Sequence, residues 1–227
     1  MKALRSVAII ALAGVIAVAS AACGAGKKEA TGPVETVTAS VPRATATRPV
    51  GTTVATKETV AASPTRAASG VPAGYTGYED SEGRFSLCYP SGWTKTSVLG
   101  TIAAFVGPAE RGYSASANVV IEPLPSEMTP EEYFSAAEPT MTIVSGYKKI
   151  SAGPTSIDGR SCLKHVFEAS FPVAGKNVSV RMVQFMFVEG RVAHILTCGS
   201  EQSMFDEHAS TFEQVARCLA SSLPRAQ

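Results

Sequence analysis

Three histidines, His165, His194 and His208, are the first candidates for metal binding or acid–base chemistry in this chain. Two histidines can bind one metal ion or act in one catalytic step only if their side chains converge. The predicted hairpin registers place His165 and His194 on opposite faces of one sheet. No HExxH, CxxC or glycine-rich phosphate loop occurs. Ser91 and Ser114 do not stand in the Gly-x-Ser-x-Gly pattern of a nucleophile elbow. A Ser/His/Asp triad would have to be assembled from distant parts of the chain, so the sequence favours a protein that is not an enzyme.

Two adjacent carboxylate pairs, Glu79-Asp80 and Glu131-Glu132, could serve acid–base catalysis or bind calcium. Their context favours structural roles, because the first pair lies beside a predicted hairpin turn and the second lies at a predicted helix N-terminus, where the helix dipole favours negative charge. Trp93 follows a Pro-Ser-Gly turn. It could line a ligand groove, although closing the end of a sheet is the commoner role. We therefore predict no catalytic residue, no metal ligand and no cofactor.

Three strand-like runs between Ser161 and Cys198 must position most of these side chains. They read SCLKHVFEASF, NVSVRMVQFMFV and RVAHILTC, and short turns separate them. Their richness in Val, Ile, Phe and Thr, together with a two-residue Glu-Gly link before the last run, predicts an antiparallel meander.

The turns fix which residues face each other across this meander. A first turn at Ala174-Gly175 places Glu168 opposite Arg181, and a second turn at the Glu-Gly link places Phe185 opposite His194. One face then carries Cys162, Val166, Val183, Phe185, Phe187, Val192, Leu196 and Cys198. The other face carries Leu163, Phe167, Val180, Met182, Met186, Val188, Ala193 and Ile195. Because both faces are apolar, we predict that the sheet is covered on both sides.

The remaining elements flank the meander. We predict an opening hairpin around a Ser81–Gly83 turn, with its second strand at Phe85–Tyr89, and further strands at 101–106, 117–122 and 148–157. Thr129 and Glu132 form a capping box, and Pro130 suits the first helical position. This helix should bury Tyr133, Phe134 and Ala137, and Pro139 should kink it or end its first segment. A last helix near 203–222 should bury Phe205, Phe212, Val215, Ala216 and Leu219.

The four cysteines after residue 75, namely Cys88, Cys162, Cys198 and Cys218, are an even number and predict a disulfide framework if the protein is exported. The last helix must return antiparallel to the strand that ends at Cys198, which carries Cys218 about 22 Å from the helix start and away from Cys198. Cys162 begins a strand at the end of the sheet that Cys218 reaches. We therefore predict a Cys162–Cys218 bond, with Cys88–Cys198 as its companion.

The N-terminus predicts export. Residues 1–22 combine a basic start with an unbroken apolar run from Val7 to Ala19, which is typical of a bacterial signal peptide. The end of this segment, Ser-Ala-Ala-Cys at residues 20–23, resembles the lipobox of bacterial lipoproteins, although Ser20 stands where an aliphatic residue is usual. The resemblance implies that Cys23 is acylated and anchors the protein to the outer side of the membrane. The alternative is an ordinary secretory signal.

A change in composition marks the domain boundary. All sixteen aromatic residues lie in 75–227, whereas residues 23–74 are dominated by Thr, Ala, Val, Pro and Ser and predict a disordered tether. Residues 75–227 are long enough for one domain with a good core. Acidic residues slightly outnumber basic ones there, which argues against a nucleic-acid partner.

The order of hairpin, strands, capped helix, meander and final helix, together with the opening GRFSLCYPSGW, resembles the PsbP-like fold and the small lipoproteins that share it. The resemblance covers Tyr75 to Leu223. It implies an α+β fold, an antiparallel β-sheet flanked by helices in an α/β/α sandwich, and it implies no activity.

We therefore predict a non-catalytic, lipid-anchored extracytoplasmic binding or interaction module with an envelope protein as the candidate partner. Two alternatives stay open. One is a hydrolase or other enzyme tethered outside the membrane, and the other is a structural role in an envelope complex. A deep pocket with convergent polar groups would favour the enzyme, and a broad apolar patch would favour a protein partner.

Overall fold

The computed structural model describes residues 70–224 of the chain. The predicted signal peptide, the lipidation site Cys23 and nearly all of the predicted tether lie outside the described residues. The described part has nine strands and two helices: β1 Tyr75–Glu79, β2 Ser86–Pro90, β3 Thr94–Thr96, β4 Ala103–Glu110, β5 Tyr113–Pro123, α1 Pro130–Met141, β6 Lys148–Ile157, β7 Arg160–Val173, β8 Lys176–Glu189, β9 Val192–Glu201 and α2 Phe205–Ser222. A short 3₁₀ turn at Gln202–Met204 precedes α2.

The main sheet is antiparallel and seven-stranded, in the order β3-β4-β5-β9-β8-β7-β6. The predicted α+β fold is confirmed. The first meander turn is confirmed too, because Glu168 pairs with Arg181 and a 2.9 Å ion pair joins their side chains. Ala174 and Gly175 both adopt positive φ there, as a type I′ turn requires.

The pairing across the second meander turn differs from the prediction by two residues, since the turn lies one residue later in the chain. Phe185 faces Leu196, and His194 faces Phe187, because the two turn residues are Gly190 and Arg191. Since side chains alternate between faces with a period of two, an even shift leaves every residue on its predicted face. The predicted faces are therefore right although this register is wrong.

Both faces of the main sheet are covered, as predicted. We call them the α1 face and the α2 face. On the α2 face, Phe105, Phe185, Phe187, Leu196 and Cys198 form one core with the apolar side of α2 and with the two-stranded β1–β2 hairpin. On the α1 face, Leu163, Met186 and Ile195 pack with Tyr133, Phe134, Ala137 and Met141 of α1. These three layers are the predicted sandwich.

The start of α1 is built as the sequence indicated. The Thr129 side chain accepts from the Glu132 amide at 3.2 Å, and the Glu132 carboxylate accepts from the Thr129 amide at 2.8 Å. Pro139 does not end the helix at once, and α1 runs on to Met141. Proline lacks an N–H group to donate. The helical pattern nevertheless continues after it, since the Thr142 amide donates to the Glu138 carbonyl.

Other strands are longer than predicted, since β4 reaches Glu110 and β5 begins at Tyr113, and the short β3 was missed. The predicted strand at 148–157 and the α2 stripe of Phe205, Phe212, Val215, Ala216 and Leu219 are confirmed. Neither helix within residues 70–224 is long and apolar enough to cross a membrane.

Candidate functional site

A disulfide joins Cys88 on β2 to Cys218 on α2, with the two Cα atoms 5.5 Å apart. Cys162 and Cys198 are buried and unbridged. The predicted pairs Cys162–Cys218 and Cys88–Cys198 are therefore wrong. As predicted, Cys198 and Cys218 are not bonded to each other.

The error came from the placement of the β1–β2 hairpin. This hairpin lies along the last turns of α2, where Cys88 Sγ is 3.8 Å from the Gln214 carbonyl oxygen. The Ser222 hydroxyl accepts from the Ser86 amide and donates to the Ser86 carbonyl. The hairpin thus lies against Cys218, and Cys162 lies on the sheet beneath this layer.

The two unbridged thiols are unsuited to nucleophilic chemistry. Burial raises the pKa of Cys162 to about 12, only partly offset by nearby Lys164. Burial also raises the pKa of Cys198, whose side chain is inaccessible to solvent. Because the thiolate is the reactive form, both residues serve as core side chains.

His165 and His194 project from opposite faces, as predicted. His194 lies on the α2 face, 5% exposed, and its Nδ1 has no hydrogen-bond partner within the described residues. Burial lowers its pKa to about 4, and the positive charges of Arg160 and Arg84 add to this effect. His194 is therefore neutral at physiological pH.

His165 belongs to a buried polar row that crosses the α1 face of the sheet. His165 Nδ1 lies 3.1 Å from Gln184 Oε1 on β8, and Gln184 Nε2 donates to Thr197 Oγ1 on β9 at 3.1 Å. Asn118 stands beside Thr197 on β5, so polar residues occupy adjacent positions on four strands. All four side chains are at most 1% exposed.

One more residue extends the polar row toward solvent. The Tyr147 hydroxyl, from the segment between α1 and β6, lies 3.2 Å from His165 Nε2. Burial raises the pKa of Tyr147, and the carboxylate of Glu138 on α1 raises it further. Glu138 also forms a 2.6 Å ion pair with Lys149 of β6. A chain of polar groups therefore runs from a surface ion pair to the centre of the sheet.

Aromatic rings enclose the imidazole of this row. The Phe167 ring is nearly parallel to the His165 ring, with centroids 4.7 Å apart, and the Phe134 ring of α1 lies 4.8 Å away. Burial lowers the pKa of His165, opposed by its bond to Gln184 and by the charge of Glu138. The sequence motifs did not reveal this arrangement, because its members belong to different strands.

A second buried polar pair lies on the same face. The Tyr133 hydroxyl donates to Glu122 Oε2 at 2.6 Å, and Glu122 is only 5% exposed. Burial raises the pKa of Glu122, partly offset by the bond from Tyr133. This pair fixes α1 to the end of β5.

The other candidate groups serve structural roles. The Asp80 carboxylate accepts from the Arg84 guanidinium at 2.7 Å inside the β1–β2 turn, and this bond lowers the pKa of Asp80. Trp93 covers Gly107, where a Cβ would lie only 2.8 Å from the indole Nε1. His208 pairs with Glu110 at 2.9 Å.

In the part of the chain that the structure describes, neither candidate serine is hydrogen-bonded to a histidine. Ser114 is buried on β5, and exposed Ser91 accepts a hydrogen bond from Thr76. Within residues 70–224, no group of His, Cys, Asp and Glu side chains is arranged to hold a metal ion.

An open groove of about 620 Å³ lies at one end of the sheet, between the β6–β7 turn, the end of β8 and the last turn of α2. Arg160 lines it, with its guanidinium 2.6 Å from the Glu189 carboxylate. The same guanidinium donates to the carbonyl oxygens of Leu223 and Pro224. Its charge is thus used to fix the C-terminal end of α2.

The PsbP family model matches residues 73–220. Among solved structures, the chain is similar to cyanobacterial PsbP (CyanoP) from Synechocystis sp. PCC 6803, with 18% identity and a TM-score of 0.48 over 66% of this chain and 94% of that chain. It is similar to LpqN, involved in cell envelope biogenesis of Mycobacterium tuberculosis (12% identity, TM-score 0.44, 62% and 86% covered). It is also similar to the Ran-binding protein Mog1p of Saccharomyces cerevisiae (12%, 0.42, 63% and 86%). No curated protein matches the chain.

Proposed function

This chain belongs to the PsbP family, and we propose that it is a non-catalytic interaction module held outside the cytoplasmic membrane by a lipid on Cys23. The observation that carries the placement is the Cys88–Cys218 disulfide. Structural disulfides form and persist in oxidising compartments, and thiols in the cytosol are kept reduced. The bond therefore supports an exported domain.

The sequence before the domain supports the anchor. The apolar run from Val7 to Ala19 is followed by Ser-Ala-Ala-Cys, residues 20–23, which resembles the lipobox before a lipid-modified cysteine except at Ser20. A lipid on Cys23 would then hold the domain on the outer side of the membrane.

Polar and charged side chains that could serve catalysis are already bonded within the protein, which supports an interaction role over catalysis. Asp80 is bonded inside a turn, Arg160 fixes the end of α2, and His165 is sealed within the polar row. The described surface still exposes large apolar side chains, with Leu99 92% and Ile143 74% exposed. These two positions are suitable places to search for a protein contact.

Fractionation of cells expressing the wild type and Cys23→Ala tests the proposal. We expect the wild type in the membrane fraction, with a mature N-terminal peptide that starts at acylated Cys23, and the variant in the soluble exported fraction. A variant that stays membrane-bound and is processed like the wild type would show that the lipobox interpretation is wrong. A wild type with reduced Cys88 and Cys218 in the cytosol would refute the placement.

A further inference from the structure

The side of α1 that points away from the sheet is exposed from the first turn of the helix to the residues just after its end. Its inner side packs on the sheet, whereas the outer positions are open to solvent. We call these positions the outer surface of α1: Glu131, Glu132, Ser135, Ala136, Pro139, Thr142 and Ile143. The other helix differs, because the β1–β2 hairpin lies against α2 and is bonded to it by the disulfide.

The segment that contains α1 carries charge of only one sign. Residues 124–147 include four glutamates and no Lys, Arg or His. Glu138 is paired with Lys149 of β6, whereas Glu127 and Glu131 form no ion pair with any residue that the structure describes. Arg191 reaches the start of the segment, but its guanidinium is bonded to two backbone carbonyl oxygens there. The N-terminal end of the outer surface therefore keeps an uncompensated negative charge.

The opposite end of this surface is apolar. Ile143 is 74% exposed, and Ile150 of β6 is 45% exposed. Lys149, next to Ile150, bonds to Glu138 in the last turn of α1, so both isoleucines lie at the C-terminal end of the helix. The centre of the surface carries small, uncharged side chains, namely Ser135, Ala136 and Pro139. Exposed apolar anchors beside an uncharged centre are typical of protein interfaces.

We propose that the outer surface of α1 is the docking surface for a basic amphipathic helix of another protein. This inference rests on the proposed function as an interaction module and adds the chemistry of its partner. Small central side chains let two helices approach to about 8–10 Å between their axes. Ile143 and Ile150 then pack on the apolar side of the partner helix, and its Lys and Arg side chains pair with Glu127 and Glu131.

The charges of this surface argue against the other occupants. A second copy of the chain offers Lys149 as its basic side chain at this surface, and that lysine is already paired with Glu138. A symmetric dimer would thus leave Glu127 and Glu131 uncompensated. An anionic bilayer attracts basic segments and repels acidic ones, and nucleic-acid phosphates do the same. A cationic protein surface is the occupant that these charges favour.

Peptide binding to the purified Cys23→Ala protein tests this surface, because the variant keeps every other residue of the chain. The probe is an amphipathic helical peptide of Leu, Ala and Lys, about 18 residues long, and its control has Glu at every Lys position. Fluorescence anisotropy gives the Kd, and NMR shifts of backbone amides locate the bound peptide. We expect the Lys peptide to bind at residues 131–143 and the Glu peptide not to bind. Absent binding, equal binding of both peptides or shifts confined to other elements would overturn the proposal.

Matched variants separate the docking surface from general attraction between charges. Glu131→Lys should weaken binding of the Lys peptide about fivefold, and Glu207→Lys, which reverses an exposed acid in the first turn of α2, should leave the Kd unchanged. Ile143→Ser should weaken binding up to about tenfold, since it removes an apolar anchor without changing the charge. Urea unfolding checks that each variant keeps the wild-type stability.

Equal effects of the two charge reversals, or wild-type affinity in the Ile143 variant, would overturn the proposal. Fractionation of Cys23→Ala cells tests the proposed function independently of any peptide. A failure of the peptide experiment alone would therefore refute the partner chemistry and leave the lipid-anchored placement standing.

Discussion

Reduction of the Cys88–Cys218 disulfide should destabilise the domain strongly. The bond joins residues separated by 130 positions in the sequence. For a loop of that length, the chain-entropy relation gives about 5 kcal/mol at 25 °C, and measured values for disulfides of this kind are typically about 2–4 kcal/mol. We expect the free energy of unfolding to fall by about 3–5 kcal/mol on reduction.

Urea unfolding of the protein with and without a phosphine reductant measures this difference, with Cys162→Ala as the control that removes a buried thiol without breaking a bridge. The reductant should lower the stability of the control as much as that of the wild type. A reductant effect below about 1 kcal/mol would refute the chain-entropy reasoning. A Cys162–Cys218 peptide in non-reducing mapping would refute the topology.

Three further changes probe individual contacts. His194, with a folded pKa of about 4, stabilises the fold above its unfolded pKa of about 6.5. Lowering the pH from 6.5 to 4 should therefore remove up to about 3 kcal/mol, and His194→Gln should flatten that decline in acid titrations of stability. Thr129→Ala should cost about 1 kcal/mol in urea unfolding, because the α1 capping box loses its side-chain acceptor. Gly107→Ala should cost about 1–3 kcal/mol and change Trp93 fluorescence, since the new Cβ would lie 2.8 Å from the indole.

Each of these changes has a result that contradicts its reasoning. An unchanged acid profile in the His194 variant would mean that folding does not lower the pKa of His194 in the wild type. For Thr129, the exposed Ser126 is the control, and equal losses in both alanine variants would exclude a capping effect. For Gly107, native stability with unchanged fluorescence would mean that Trp93 does not cover this glycine.

The faces of the meander could be predicted from the sequence, because alternation along each strand is independent of small register errors. The first turn was predicted in full, since Ala174-Gly175 is followed by a strand with a matching charge at Arg181. The second turn was misplaced by one residue, which shifted the pairing between β8 and β9 by two residues. Gly190 has φ of 58° and occupies the first turn position, which glycine prefers in a type II′ turn.

That small error concealed the polar row. The first register already paired His165 with Gln184, but the predicted second register placed Gln184 opposite Ile195 instead of Thr197. The contribution of Tyr147 could not be predicted at all, because it depends on how the segment after α1 folds back on the sheet. The partner of Cys88 also depends on where the β1–β2 hairpin packs against α2, which local sequence patterns do not show.

The most direct measurement of the central claim is photo-crosslinking of the intact protein in its native envelope. Photoreactive residues at positions 99 and 143 are compared with one at 176, the exposed first residue of β8. An interaction module held by Cys23 should give a crosslink to one defined envelope protein from 99 or 143, stronger than from 176 and lost in Cys23→Ala. Equal or absent crosslinks from all three positions in the membrane-bound protein would contradict the account.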